Sequence, residues 1–450
     1  MLYLYKYTII YETQETQQMD YQQSRAYVKD ADRYAGGALD LTNIKELMKR
    51  LGNPQDQLKY VHVAGTNGKG SVIAYLYTTL SEAGYRVGRY ISPSVYSYRE
   101  KMEVAGRAVS REQFAGYVTR VAAAIKEMTT EGLAHPTPFE IETAVAFLFF
   151  AEEKCDLVIL EVGMGGNLDA TNIIRNTVLA VLVPISMDHQ AFLGNTLSEI
   201  AEKKAGIIKP GCSVVTVGQQ PETMAVIERV CRENGADLTE ADLHEAKAVK
   251  EDFAGQTLEY RGENYELSLA GSYQTENAAL ALEALEVLGR GGYPTTVEQR
   301  KKGLKDTKWN GRLTIIHREP LFIVDGAHNP AAADMLEDSV RRYFKGRKLF
   351  FIMGVFRDKD YPYIIRKLCP YAEQIITIET PDNPRALPAQ ELAEEIKKCN
   401  PHVQAADSIS DAVDKIFAMA GREDVILSFG SLSFIGEITT IVKTQEEKNS

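Results

Sequence analysis

A glycine-rich loop with one lysine offers the clearest chemistry in the sequence. Residues 65–71, GTNGKGS, directly follow an apolar run and directly precede a helical pattern. Glycines let backbone amides turn towards an anion, the helix N-terminus adds a partial positive charge, and Lys69 adds a full one. Gly70 stands where the common nucleotide-binding loop has Ser or Thr, and the hydroxyl follows at Ser71. A plain glycine turn with a solvated lysine is the alternative, but the strand–loop–helix context favours phosphate binding.

Three further side chains are candidates for catalysis or metal binding. Glu161 ends an apolar run, where an unpaired carboxylate is costly to bury, so it is either salt-bridged or a ligand of a hard metal ion. His189 follows another apolar run, and a lone histidine there is more often a hydrogen-bonded structural residue than a ligand. Lys204 lies in the segment AEKKAGI. We find no convincing Ser-His-Asp or Cys-His nucleophile in the sequence.

The elements that would position these residues alternate between strands and helices. Strands are predicted at 58–64, 85–91, 156–162 and 178–185, and helices at 72–83 and 139–152. Short apolar runs that alternate with such helices predict a parallel sheet covered on both faces. Ligands of these sheets bind beyond the carboxyl ends of the strands, which is where most of the polar residues above fall.

A second α/β domain is predicted after residue 308. Residues 301–310 are polar and basic, follow a helix predicted at 275–288, and suit a linker. The alternation then restarts, with strands predicted at 322–324, 348–353, 374–378 and 425–429. We therefore predict domains at 19–308 and 309–450, with a ligand crevice between them. Residues 1–18 are predicted to be a non-essential extension ahead of Met19.

Composition argues against several kinds of partner. The net charge is −11 over 450 residues, whereas generic nucleic-acid binding needs a basic face. The longest apolar run is far shorter than the roughly 20 residues that span a bilayer, and the N-terminal residues do not read as a secretory signal. The five cysteines are scattered, without a C-x-x-C pair, and are predicted to be reduced. We expect a cytoplasmic monomer that binds small molecules, with no membrane or nucleic-acid partner.

Ten segments, in order along the chain, resemble the folylpolyglutamate synthase and dihydrofolate synthase branch of the Mur ligase superfamily. They include GTNGKGS at 65–71, TPFE at 137–140, EVGMGGNLDATN at 161–172, the run from 186 to 211 that contains AEKKAGI, WNGRL at 309–313, DGAHNP at 325–330 and GVFRDKD at 354–360. The resemblance covers nearly the whole chain after Met19. It implies a P-loop-containing, parallel-sheet ATPase domain followed by a smaller Rossmann-like α/β domain.

The resemblance also implies the reaction. Members join L-glutamate to tetrahydrofolate or folylpolyglutamate, and bifunctional members also join it to 7,8-dihydropteroate. The sequence NLDATN is more similar to that of the bifunctional members. The γ-phosphoryl group of ATP makes an acyl phosphate, which the amine of glutamate attacks, giving ADP and phosphate. Such phosphoryl transfer needs positioning and charge neutralisation. A cell-wall UDP-muramoyl ligase of the same superfamily is an alternative, although no extra substrate domain precedes the loop. A P-loop kinase or a non-catalytic nucleotide-binding module would explain residues 65–71 alone.

Individual roles follow from the matching positions. The residues implied to bind ATP are Thr66, Asn67, Gly68, Lys69, Gly70, Ser71, Asn277, Arg312 and Asp325, with His328 a further candidate. Two Mg²⁺ ions are implied, the first held by Ser92 and Glu161 and the second by Glu161 and His189. The residues implied to contact pteroate are Thr137, Pro138, Phe139, Glu140, Leu168, Asp169 and Ala170. Catalysis is assigned to Lys69, Glu161, His189 and Lys204.

Lys204 matches a family lysine that is carbamylated, which turns an ammonium into an anionic metal ligand. Two positions depart from the family's spelling. Ser94 stands where the family often has the His of Ser-Pro-His. Lys203 stands where the family usually has Glu, directly before the modified lysine. The AGI that follows supports Lys204 as the modified residue, whereas pterin contacts in the loop at Ser94 are not implied.

Overall fold

The computed structural model describes residues 18–34, 40–253, 255–381 and 383–449. The predicted extension at 1–18 therefore lies outside the described residues, apart from Gln18. The first described helix is α1 (Tyr21–Asp30). Asp20 accepts the backbone N–H of Gln23, whose side chain in turn accepts the N–H of Asp20. This reciprocal cap fixes the start of the helix.

Eight strands form the larger sheet within the described chain. They are β1 (Tyr60–Ala64), β2 (Val87–Tyr90), β3 (Met102–Val104), β4 (Arg107–Ala108), β5 (Leu157–Glu161), β6 (Thr177–Leu182), β7 (Ser213–Val217) and β8 (Asp237–Ala241). Their order is β4-β3-β2-β5-β1-β6-β7-β8. The pairs from β2 to β8 are parallel, which confirms the predicted parallel sheet. The short strands β3 and β4 add an antiparallel edge that was not predicted.

Helices cover both faces of this sheet. They are α2 (Thr42–Arg50), α3 (Lys69–Glu82), α4 (Arg111–Thr130), α5 (Pro138–Glu152), α6 (Gln190–Leu193), α7 (Leu197–Ala205), α8 (Pro221–Asn234), α9 (Gln274–Arg290) and α10 (Val297–Asp306). Alternate side chains of β1 point to opposite faces. Val61 and Val63 pack against α3 and α9, and Tyr60 packs against α4 and α5. Both faces of β1 are therefore buried, as its apolar sequence predicts.

A small antiparallel sheet follows the larger one. It contains β9 (Lys247–Asp252), β10 (Gly255–Tyr260) and β11 (Glu263–Leu267), in the order β11-β10-β9. Arg261 and Gly262 make the turn between β10 and β11, both with positive φ. This sheet was not predicted from the sequence, because its strands carry charged residues and lie partly in solvent.

The second large sheet carries the C-terminal part of the described chain. Its strands are β12 (Thr314–Arg318), β13 (Leu321–Val324), β14 (Leu349–Met353), β15 (Gln374–Thr377), β16 (Val403–Ala405) and β17 (Val425–Phe429). Their order is β12-β13-β17-β14-β15-β16, parallel except for β12. Its helices are α11 (Pro330–Tyr343), α12 (Tyr361–Leu368), α13 (Ala389–Ile396), α14 (Ile409–Met419) and α15 (Ile435–Asn449). The predicted Rossmann-like α/β unit is confirmed.

The linker predicted at 301–310 is wrong over its first six residues. Those residues are the end of α10, which begins at a cap formed by Thr296 and Gln299. The basic composition is that of an exposed helix face, on which Lys302 pairs with Glu82 and Asp306. The connection between the two sheets is therefore shorter than predicted. In the part of the chain that is described, no helix has both the length and the apolar character needed to span a membrane.

Candidate active site

The glycine loop connects β1 to α3 and turns its backbone tightly. Gly65 and Gly68 have φ of 141° and 95°, a region that favours glycine. A Cβ on Gly65 would lie 2.7 Å from the carbonyl oxygen of Val183. Lys69 Nζ donates to the carbonyl oxygens of Gly65 and Thr66, at 3.3 and 3.2 Å. The ammonium and the N-terminus of α3 therefore sit together, which is the arrangement of an anion site.

A cavity of about 150 Å³ lies at the carboxyl ends of the parallel strands. It gathers sequence-predicted residues that are far apart in the chain: Thr66, Asn67, Lys69, Gly70, Ser92, Glu161, His189, Lys204 and Arg312. Arg312 comes from the start of the second α/β unit, whereas the others belong to the first. The two units thus meet at one cavity.

Glu161 is a buried carboxylate at the end of β5. Its side chain is 8% exposed, and Oε2 accepts the backbone N–H of Ser92 at 3.1 Å. Burial raises its pKa, and the positive charge of Lys69 opposes that rise. A carboxylate so placed gains from a cation that enters the cavity, because the charge is costly to bury unpaired.

His189 lies in a polar network that spans the two units. Its φ is 49°, an uncommon value outside glycine. Burial lowers its pKa, which favours the neutral imidazole that can bind a metal. Asp188 accepts the N–H of His189 at 2.8 Å, the Lys359 ammonium at 2.8 Å and an Asn329 amide N–H at 3.1 Å. Although burial opposes it, Lys359 lowers the pKa of Asp188.

Lys359 and Asn329 were not predicted as site residues. Both lie in segments that the sequence analysis had matched, GVFRDKD and DGAHNP. Asn329 also exchanges two amide hydrogen bonds with Asn67 of the glycine loop, both at 3.2 Å. Their place in these two matched segments, each of which follows a strand of the second sheet, was the signal that could have found them.

Lys204 is held in a buried place against the glycine loop. Its side chain is 5% exposed, and Nζ donates to the Gly65 carbonyl oxygen at 2.7 Å. Burial and the nearby charge of Lys69 lower its pKa to about 7. The glycine turn after β5 makes this possible, because a Cβ on Gly166 would lie 2.5 Å from the carbonyl oxygen of Lys203.

A smaller cavity of about 30 Å³ adjoins the loop on its other side. It is lined by Asn67, Gly68, Ser71, Tyr273, Arg312, Asp325, His328 and the apolar residues Ala332, Met335 and Leu336. Asn277 contacts the loop here, since a Cβ on Gly68 would lie 2.5 Å from Asn277 Oδ1. Asp325 accepts backbone N–H groups of Leu313 and Ala327, at 2.9 and 2.8 Å. The predicted ATP-binding residues therefore lie around the loop, and all of them except Asn277 line one or both of the two cavities.

The predicted pteroate residues, all within the described chain, line neither cavity. Thr137 and Glu140 form the reciprocal cap of α5. Both carboxylate oxygens of Asp169 accept hydrogen bonds from its own loop: Thr171 Oγ1 at 2.6 Å and the Met164 N–H at 2.8 Å. Pro138 begins α5, and Ala170 is buried. Phe139 touches Gly163, where a Cβ would lie 2.7 Å from its ring, and Leu168 is 45% exposed.

Across the described residues, no group of three or more His, Cys, Asp and Glu side chains is arranged to hold a metal ion. The donors present, Glu161 and His189, nevertheless fit Mg²⁺. This ion commonly binds through one or two protein ligands and keeps water and substrate phosphates in its shell. A buried carboxylate beside a phosphate loop supplies that setting.

The comparisons with known proteins agree with this geometry. The Mur ligase middle domain matches residues 63–285, and the Mur ligase glutamate ligase domain matches 311–432. A Bacillus subtilis protein named dihydrofolate synthase/folylpolyglutamate synthase is 34% identical over 433 residues, which cover 94% of this chain and 99% of the relative. The chain belongs to the folylpolyglutamate synthase/dihydrofolate synthase family of Mur ligases. The resemblance stated from the sequence is thereby confirmed, and with it an ATP-dependent ligase.

Solved structures of the family have the same fold. Mycobacterium tuberculosis folylpolyglutamate synthase complexed with ADP matches with a TM-score of 0.85 and 30% identity, over 94% of this chain and 99% of that one. E. coli FolC in complex with DHPP and ADP matches with a TM-score of 0.81 and 28% identity, over 95% and 98% of the two chains. ATP is accordingly the co-substrate of the family to which this chain belongs.

Proposed function

We propose that this chain joins L-glutamate to tetrahydrofolate or its polyglutamates, and also to 7,8-dihydropteroate, with conversion of ATP to ADP and phosphate. The observation that carries the proposal is the meeting of Lys69, Glu161, His189, Lys204 and Arg312 at one cavity. The double name of the Bacillus subtilis relative and the DHPP in the E. coli complex support the second acceptor.

The cavity suits the activation of a carboxylate. The γ-phosphoryl group passes from ATP to an oxygen of the folate carboxylate, and ADP leaves. The amine of glutamate then attacks the carbonyl carbon, the C–O bond to phosphate breaks, and the amine loses its proton. In our proposal Lys69 and the amides of the glycine loop neutralise phosphate charge, and Arg312 approaches from the second unit. Such fixed charges act where charge develops in the transition state.

We further propose that two Mg²⁺ ions bind, one at Ser92 and Glu161 and the other at Glu161 and His189. When bound, the ions supply positive charge to the phosphate and acyl oxygens. The burial of Glu161 and the lowered pKa of His189 support this assignment. Lys204 is proposed to carry a carbamate, an anion that would face Lys69 and add an oxygen ligand.

For the pteroate acceptor, we propose that Phe139 and Leu168 offer apolar surface. The side chains of Thr137, Glu140 and Asp169 instead shape the loops that present these two residues. Pro138 and Ala170 contribute backbone. We also retain 308/309 as the proposed domain boundary, which is supported by the end of α10 at Asp306 and the start of the glutamate ligase domain match at 311.

One assay tests the function. Phosphate release from ATP is expected to require L-glutamate together with either tetrahydrofolate or dihydropteroate, each tested separately on purified protein. Release driven by a UDP-muramoyl substrate, or release independent of any amine acceptor, would overturn the proposal. Activity on tetrahydrofolate alone would remove only the second acceptor.

A further inference from the structure

The indole ring of Trp309 lies directly on the first turn of α3. A Cβ built on Gly70 would lie 2.6 Å from Trp309 Cε2 and 2.7 Å from Nε1, closer than real Cβ contacts. Gly70 does not have a positive φ, so its backbone conformation is open to any residue. The space taken by the indole is therefore a reason for glycine here, where the common loop has Ser or Thr.

A partly buried arginine contacts this indole. Arg89, at the penultimate position of β2, has a side chain that is 11% exposed and pairs with Glu103 at 2.6 Å. Its guanidinium lies 4.7 Å from the centroid of the Tyr77 ring on α3 and 5.5 Å from the centroid of the Trp309 ring. Both separations are within the range of cation–π attraction. Arg89 thus links the sheet, α3 and the tryptophan.

Trp309 also belongs to the connection between the two α/β units. It follows α10 and precedes Arg312 by three residues. Arg312 lines both cavities. The connection therefore meets the phosphate loop through two side chains: the indole, which lies against Gly70 and also lines the larger cavity, and the Arg312 guanidinium.

We propose that Trp309 is a positioning residue for the phosphate loop. Through Trp309, the connection to the second unit sets ATP affinity and turnover. The proposal rests on the ATP-dependent function proposed above. Trp309 acts on Lys69 and the loop amides by fixing the first turn of α3 at Gly70. Arg89 acts on the indole and needs its planar guanidinium to do so.

A double-mutant cycle between Gly70 and Trp309 tests the inference. Gly70→Ala is expected to lower kcat/KM for ATP by about 100-fold, because its methyl group displaces the first turn of α3. Trp309→Ala is expected to cost about tenfold and Trp309→Phe about threefold, mainly in KM for ATP. Gly70→Ala/Trp309→Ala is expected to match Trp309→Ala alone, because the methyl group then meets no ring. An undiminished cost of Gly70→Ala in the Trp309→Ala background would overturn the proposal.

Gly303→Ala is the matched control. Its Cβ would lie 2.6 Å from the Cα of Thr79 near the other end of α3, so it crowds the same helix away from the loop. Adding Trp309→Ala is not expected to restore the activity of Gly303→Ala. If it restored the activity of both glycine variants, α3 would be relaxing as a whole, which would count against the proposal. If Gly70→Ala does not fold, Arg89→Met replaces it. That change is expected to raise KM for ATP several-fold in wild type and to have no further effect in Trp309→Ala; an equal effect in both would contradict the reasoning.

Titration calorimetry with ATP distinguishes a failure of the proposed function from a failure of the proposed role of Trp309. If the wild-type chain binds ATP but makes no amide with glutamate, the proposed function fails, and the affinities of the variants still test Trp309. If the wild-type chain is an active ligase and the cycle is additive, only the positioning role fails.

Discussion

Lys204 is expected to react with carbon dioxide near neutral pH, because the protein keeps its amine in a buried place. The nearby Lys69 ammonium adds to the effect of burial, and together they lower the pKa of Lys204 to about 7. An ordinary lysine, with a pKa of about 10.5, is neutral in roughly one molecule in 3,000 at pH 7. With a pKa of about 7, Lys204 is neutral in about half of the molecules, an increase of about 10³ in the reactive form.

The same shift makes stability depend on pH. The unfolded chain keeps the Lys204 proton up to about pH 10.5, whereas the folded chain releases it near pH 7. Because the unfolded state then binds more protons, stability should rise with pH between these values. Below pH 7 the charged amine costs folding about 5 kcal/mol relative to alkaline conditions. Addition of CO₂ to the neutral amine forms one C–N bond, opens one C–O π bond and releases one proton. Starting from the ammonium, two protons leave, so that an anion replaces the cation beside Lys69.

Carbon-13 NMR of protein equilibrated with ¹³C-bicarbonate measures the modification. A carbamate signal is expected in the wild type, increasing as the pH rises through 7 at constant free CO₂. Lys204→Met should lose the signal, lower turnover by about 10²–10³, and flatten the rise of thermal stability with pH. Lys209→Met is the control, because burial lowers the pKa of Lys209 to about 8 at a site outside the cavity. A signal that survives Lys204→Met, or full activity of that variant without CO₂, would refute the reasoning.

Substitutions at three other positions test the site. Lys69→Ala is expected to lower phosphate release by at least about 10³-fold, because phosphate charge loses its main protein cation; near wild-type turnover with unchanged circular dichroism would contradict its role. Glu161→Ala and Glu161→Gln should both abolish turnover. The amide of the introduced Gln can still accept the Ser92 N–H, and the change removes a buried charge. Scanning fluorimetry should therefore show a melting temperature for Glu161→Gln equal to or higher than that of the wild type. Thr171→Val removes the hydroxyl's 2.6 Å bond to Asp169 and its 2.8 Å bond to His62 Nε2. It should raise KM for dihydropteroate about tenfold, with KM for ATP unchanged in steady-state assays.

The strands and the loop could be predicted because their causes are local. β1, β5 and β17 are fully buried in parallel sheets, so each is mostly apolar, and a glycine follows each within two residues. The predicted ends of the four strands assigned in the second unit agree with the structure to within one residue. The sequence of these four segments therefore predicted both that they are strands and where the strands lie.

The errors and omissions have non-local causes. The end of α10 was predicted as a linker because an exposed basic helix and a basic linker have the same composition, and only contacts with α3 distinguish them. Lys359 pairs with Asp188 across 171 positions of sequence, which no local pattern reveals. TPFE differs from both cases, because its role as a helix cap is local and was not considered, while its substrate contact stays a prediction. Family resemblance locates such residues without separating their structural and chemical roles.

The arrangement of lysines explains why an acidic protein can hold a triphosphate. The chain has a net charge of −11, yet Lys69 and Lys204 both donate to the carbonyl oxygen of Gly65. Burial lowers the pKa of Lys204, and the repulsion between two ammonium groups on one acceptor lowers it further. A carbamate on Lys204 would turn that repulsion into attraction and leave Lys69 as the cation that faces phosphate. The proposed modification and the phosphate loop would therefore be parts of one electrostatic arrangement, in which burial and the charge that Lys69 keeps together lower the pKa of Lys204.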